Sequence, residues 1–169
     1  RWVHRYMGSA DFINDNHRYC LWLLNADPQD LRSVPDIMER IDRVRLFRES
    51  SSALPTRKAA STPSRFFYVS QPETEYIVVP EVSSSRRPYI PIGFMDHTVI
   101  CSNTNYLVPS SSMFLFGVLQ SNMHMAWVRM VCGRLKSDYR YSGSIVYNNY
   151  PWPESPTAVQ KAAVEKAAQ

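Results

Sequence analysis

Ten consecutive residues constrain this chain more than any others. Gly133-Arg134-Leu135-Lys136-Ser137-Asp138-Tyr139-Arg140-Tyr141-Ser142 holds three cations, one carboxylate, two tyrosines and two serines. It follows the most strongly helical segment and precedes a short apolar run, Ser144 to Tyr147. A stretch this polar cannot be core, so the rest of the chain must bury itself while holding these residues at the surface.

The remainder reads as α+β: a mixed β-sheet core with two substantial helices and a C-terminal helix. A length of 169 residues is enough for one domain with a real core. A hairpin is expected around Asp15-Asn16, between Asp11-Phe12-Ile13 and a central strand over His17 to Leu24. Ser33 and Asp36 form a capping-box pattern with Pro35 in the first turn, and Ile37, Ile41, Val44 and Phe47 recur on one helical face. Arg40, Arg43, Arg45 and Arg48 make the opposite face. Residues 49–64 are rich in Ser, Ala, Pro and Thr and read as an exposed loop. Strands are expected at Arg65–Val69, Tyr76–Pro80, Pro88–Phe94, Thr98–Cys101, Tyr106–Val108 and Ser144–Tyr147. One long buried helix is expected from Met113 to Val131, stopped by Gly133. Pro156-Thr157 then starts a helix that looks like the opening of a further module.

Several chemistries are excluded. His4, His17, His97 and His124 show no metal-binding spacing, and Cys20, Cys101 and Cys132 form no C-x-x-C pair. The five glycines make no phosphate loop and no dinucleotide fingerprint. Asn149-Tyr150-Pro151-Trp152 has the outline of the Asn/Asp-Pro-Pro-aromatic loop of amino methyltransferases, but tyrosine replaces the first proline; it reads as a structural turn. No apolar run is long enough to span a membrane, and the thiol pattern suits a reducing cytoplasm. The chain opens without an initiator methionine and reads as a fragment of a larger protein.

Recognition of a polyanion remains. The net charge is +4, a mild lean in that direction. A G·C pair in the major groove offers acceptors on guanine and an amino donor on cytosine. On an extended segment Lys136 and Asp138 point the same way, one donor and one acceptor, and Arg140 continues that side. Arg134, Ser137, Tyr139 and Ser142 are suited to phosphates. A solvated, salt-bridged loop is the competing reading of this stretch. A protein-interaction or scaffold domain bridging modules, and a small enzyme built on the Asn149–Trp152 loop, are the competing functions.

Four segments carry a resemblance: Pro80-Glu81-Val82-Ser83-Ser84-Ser85-Arg86-Arg87 on to Phe94, Phe116 to Trp127, Gly133 to Ser142, and Val146 to Pro153. In this order they resemble the target recognition domain of the MmeI-like family of single-chain type II restriction–modification enzymes. The resemblance covers about residues 10–155, so residues 1–153 are expected to be the DNA-reading domain and 154–169 the start of a C-terminal helical segment. It implies a bacterial, cytoplasmic parent that is an adenine-N6 DNA methyltransferase using S-adenosylmethionine, with a nuclease needing magnesium. It also implies double-stranded DNA as partner, beside the methyltransferase domain of the same polypeptide, and no catalytic residue in this fragment. By motif position Lys136 with Asp138, Glu81 with Asn103, and Thr104 with Arg140 match pairs that set individual bases. Arg86 and Arg87 join the backbone contacts. Ser85 stands where the family commonly has glutamate.

Overall fold

The computed structural model describes residues 1–169. In chain order its elements are β1 (Val3–Met7), α1 (Ser9–Asn14), β2 (Arg18–Leu21), α2 (Pro28–Arg32), α3 (Pro35–Glu49) and α4 (Leu54–Lys58), then a 3-10 turn at Ala59–Ser61. Next come β3 (Tyr76–Pro80), β4 (Val82–Ser83), β5 (Gly93–Met95), β6 (Ile100–Cys101) and β7 (Asn105–Val108). The last are α5 (Met113–Leu119), α6 (Asn122–Val131), β8 (Gly133–Leu135), β9 (Asp138–Arg140), a π-type turn at Gly143–Tyr147, and α7 (Ala158–Ala168). The class is α+β, as expected. The strands form three small sheets, not one, in the orders β2-β1-β6, β5-β3-β7 and β4-β9-β8. The chain makes two compact units, Arg1–His4 with Tyr19–Ser70, and Arg5–Arg18 with Gln71–Gln169. No helix is long and apolar enough to cross a membrane.

In the first unit Pro35 opens α3, where its missing N–H costs nothing. The expected capping box does not form. Val34 is the N-cap, and Ser33 Oγ instead donates to the Asp30 carbonyl at 2.6 Å. That closes α2, whose own N-cap is Asp27, so the serine serves the end of one helix rather than the start of the next. Ile37 and Ile41 are buried with Leu23 and Leu31, whereas Val44 and Phe47 further along that face are exposed. The arginine face is engaged locally: Arg43 pairs with Glu39 and Arg45 with Asp42.

Residues 49–64 are not a free loop. They carry α4 and the 3-10 turn, and Arg48 donates to the carbonyls of Ala59, Thr62 and Arg65 at 2.9, 2.9 and 2.7 Å. The expected strand at Arg65–Val69 is irregular. Phe66 packs on Trp22 with ring centroids 5.3 Å apart, while Phe67, Tyr68 and Val69 face solvent; with no strand beside it, an apolar run has no ladder to join. The expected central strand at His17–Leu24 shrinks to β2, which lies at a sheet edge.

The second unit is built around β3, whose five residues are all buried. It pairs antiparallel with β5 (Ile77↔Phe94) and β7 (Val78↔Leu107). Successive side chains of a strand point to opposite faces. Ile77 and Val79 therefore enter the main core with Leu119, Met125, Val128 and Val146. Tyr76 and Val78 enter a second one with Met7 and Val99.

Five expectations fail in this unit. Asp11-Phe12-Ile13 is helical, not a hairpin strand, because the Asp11 carboxylate caps α1 by accepting from Gly8 N at 2.8 Å and pairs with Arg18. Asp15, at φ 52°, ends that helix in the left-handed region. The long helix is two, since Ser121 leaves the helical backbone and caps α6 through His124 N at 3.1 Å. Gly133 does not stop α6 with a positive φ; Cys132 is the cap and Gly133 starts β8. Ser144–Tyr147 coils, because Ser142 Oγ accepts from Ile145 N at 3.3 Å. Pro88–Phe94 yields a strand only from Gly93.

α7 is capped by Thr157 with Gln160 and lies against α5 at Gly117. A Cβ there would stand 2.8 Å from Val164 Cγ1 and 3.2 Å from the Val164 carbonyl oxygen, so a larger residue would require α7 to shift.

Candidate nucleic-acid interface

The ten-residue stretch folds as a hairpin. Its ladder pairs Gly133↔Arg140, Arg134↔Tyr139 and Leu135↔Asp138, leaving Lys136-Ser137 as a two-residue loop. Lys136 has φ 57°, the left-handed backbone that tight hairpin loops demand at their first position. Alternation along β9 decides what faces out. Tyr139 and Tyr141 are buried in the main core, so Asp138 and Arg140 lie on the opposite, outer face. The parity argument thus holds for Asp138 and Arg140. It does not hold for Lys136, which stands in the turn and not in the strand.

The core beneath holds this hairpin firmly. The Tyr141 hydroxyl and His124 Nε2 are 3.1 Å apart. Burial pushes the Tyr141 phenol up and lowers the His124 imidazole to about 4, so the histidine is neutral at neutral pH. On its other edge β9 pairs with β4, in the register Val82↔Arg140 and Ser83↔Tyr139.

That pairing brings a second expected region to the hairpin. Tyr141 N donates to the Glu81 carbonyl at 2.7 Å, and Glu81 N donates to the Thr104 carbonyl at 2.9 Å. Glu81, Asn103 and Thr104 line one concavity, together with Ser9, Asp11, Arg18 and Ser102. Asn103 and Thr104 are exposed at its rim. Ser9 N donates to Thr104 Oγ1 at 3.0 Å, and Ser9 Oγ to the Thr104 carbonyl. Glu81 and Asn103 therefore share a site. Arg140 reaches the same site, its Nε donating to Glu81 Oε1 at 3.0 Å.

The residues expected on the phosphate backbone divide. Arg86, Arg87 and Ser137 are exposed. The Arg134 guanidinium carbon lies 3.9 Å from the Tyr139 ring centroid. Tyr139 itself is buried and serves as the platform for that arginine. Ser142 caps the following turn, which occupies its hydroxyl.

Two contributors were missed from sequence. Ser85 N donates to Asp138 Oδ1 at 3.1 Å, a backbone contact that no side-chain pattern encodes. Arg18 lies with its Nε 3.0 Å from both Asp11 carboxylate oxygens and stacks over Tyr6. It adds a cation to the Glu81–Thr104 concavity, yet in the sequence it is one arginine in an apolar run.

The Asn149 loop is structural. Asn149 Nδ2 donates to the carbonyls of Ser144 and Ile145 at 2.8 and 3.0 Å. Tyr150 is buried against His124 and Trp152.

A core-anchored hairpin with Asp138 and Arg140 on its outer face, joined to a polar loop concavity, has the build of a recognition module. The chain belongs to the family described as MmeI, target recognition domain, whose model matches residues 1–154. It is 44% identical over 163 residues to a Bacillus subtilis (strain 168) protein called DNA methyltransferase A, an alignment covering 96% of this chain and 18% of that protein. It also superposes on the type IIL restriction-modification enzyme MmeI, solved in complex with DNA, with a TM-score of 0.95 and 50% identity, over 99% of this chain and 22% of that one. The chain thus spans about a fifth of the length of the relatives it matches.

Proposed function

We propose that this chain reads the sequence of double-stranded DNA, through base edges in the major groove, on behalf of an enzyme that methylates adenine at N6 and cuts DNA. The observation that carries the reading is the outer face of β9, where Asp138 and Arg140 stand opposite the buried Tyr139 and Tyr141. A donor and an acceptor at the hairpin tip, Lys136 and Asp138, suit a G·C pair, with lysine on guanine and aspartate on the cytosine amino group. Glu81 with Asn103 address a second base, the glutamate accepting from a cytosine amino group. Thr104 and Arg140 contribute to a third. Arg86, Arg87, Arg134 and Ser137 hold phosphates, which sets register without reading sequence.

In this reading residues 1–153 are the recognition domain and 154–169 begin a C-terminal helical segment. S-adenosylmethionine binding, adenine methylation and magnesium-dependent cleavage belong to other parts of a bacterial, cytoplasmic polypeptide. No three His, Cys, Asp or Glu side chains converge as metal ligands, and the amide of Asn149, the residue nearest a methyltransferase loop, is already bound to backbone.

The test is a paired charge swap, Lys136→Glu with Asp138→Arg, in the full-length polypeptide. The expected result is an altered base at one position of the methylated site with the others kept. Retained activity with an unchanged site would overturn the assignment.

A further inference from the structure

We propose that Arg140 is a positioning residue for Glu81, so that the bases assigned to these two residues are read jointly and not independently. The inference rests on the base-reading function proposed above and extends it. Read by motif position, Glu81 and Arg140 belong to different reader pairs; in the fold they are bonded to each other. Arg140 Nε stands 3.0 Å from Glu81 Oε1, and the carboxylate is the more sheltered partner, with 25% of its side chain exposed against 59% for the arginine.

Two backbone links hold the two residues in reach, and a third fixes Glu81 to the neighbouring loop. Val82 is the ladder partner of Arg140. Tyr141 N donates to the Glu81 carbonyl, and Glu81 N to the Thr104 carbonyl. The pair therefore sits on a fixed frame, not on two mobile loops.

The chemistry leaves both groups free to read. A carboxylate has two oxygens and about four acceptor positions, so a bond from Nε on one oxygen leaves the other for a base amino group. A guanidinium has five N–H donors, so using Nε leaves both terminal nitrogens for a base or phosphate. What the bond removes is the rotational freedom of the glutamate. It also places a cation beside a carboxylate that must approach a polyanion. Without Arg140 the same carboxylate would swing toward solvent and meet the phosphates' field uncompensated.

The experiment uses the full-length polypeptide in four forms: unaltered, Glu81→Gln, Arg140→Gln, and both. Each form is assayed for methylation of a DNA panel in which every base pair of the site is changed singly. Glu81→Gln alone maps the base that Glu81 reads. The expected result is that Arg140→Gln lowers discrimination at that mapped base by about tenfold or more, and that the double variant is no worse there than either single one. Arg140→Lys, which keeps the charge and loses the Nε geometry, should restore part of the discrimination. The proposal is overturned if Arg140→Gln spares the mapped base. It is equally overturned if losses at that base multiply in the double variant, or if Arg140→Gln weakens all positions alike, as a purely structural role would. If neither single variant alters any base preference, base reading by this face fails first, which is a different result.

Discussion

Arg134 and Tyr139 face each other across the β8–β9 ladder, with the guanidinium carbon 3.9 Å from the ring centroid. The ring is in the core and the cation is outside it, so the contact ties the hairpin surface to the interior. Cation–π contacts contribute about 0.5–1 kcal/mol at exposed sites. Arg134→Met should cost about that much stability by denaturant unfolding. Tyr139→Leu should cost more, since it loses the same contact and leaves core volume unfilled.

Lys136 pays a conformational penalty that glycine would not, because its φ of 57° lies in the left-handed region. Lys136→Gly relieves that strain and adds freedom to the unfolded chain, two effects of about 1 kcal/mol and opposite sign. The unfolding midpoint should therefore hold. Discrimination at the guanine assigned to this residue should fall, as read by methylation of singly substituted sites.

Gly117 is the closest approach of α5 to α7. An added Cβ meets Val164 Cγ1 at 2.8 Å and the Val164 carbonyl oxygen at 3.2 Å, and the latter is backbone that cannot turn aside. Gly117→Val should destabilise the packing of α7 by about 1–3 kcal/mol. Trypsin should then cut faster after Lys161 and Lys166, while cleavage elsewhere is unchanged.

His124 sets a pH dependence. Burial lowers its folded value to about 4 from the ordinary 6.5. The unfolded chain binds the proton more readily, so the stabilisation is complete above pH 6.5 and is lost as pH falls toward 4. A loss of about 3 kcal/mol follows over that window. Thermal unfolding between neutral pH and pH 4 measures it. His124→Leu should flatten the slope, although it strands the Tyr141 hydroxyl.

Legibility in the sequence tracked how much each element depends on its own residues. Tyr76–Pro80 was readable as a strand because five apolar, mostly β-branched or aromatic residues have no polar face to offer a surface helix. α3 was readable from Pro35 and the Ile37–Ile41 spacing. The failures were short apolar runs whose state is set by neighbours. Ile145-Val146 looks like a strand and coils under the Ser142 cap; Ser121 divides one helix into two; Phe66 leaves a strand pattern to pack on Trp22.

The candidate site divides along the same line. Sequence alone determined that Gly133–Ser142 presents polar groups at the surface, though not that Tyr139 and Tyr141 within it belong to the main core; it also determined what its donors and acceptors can bind and, by motif order, the family to which the chain belongs. Tertiary structure decided which of those groups act together. Leu135↔Asp138 pairing put Lys136 in a turn instead of a strand, and the β4–β9 ladder brought Glu81 to Arg140 across 59 residues of chain. Residue types carry chemistry, and short-range spacing carries local periodicity. A hydrogen bond between residues so far apart depends on how the sheets close, which no local pattern contains.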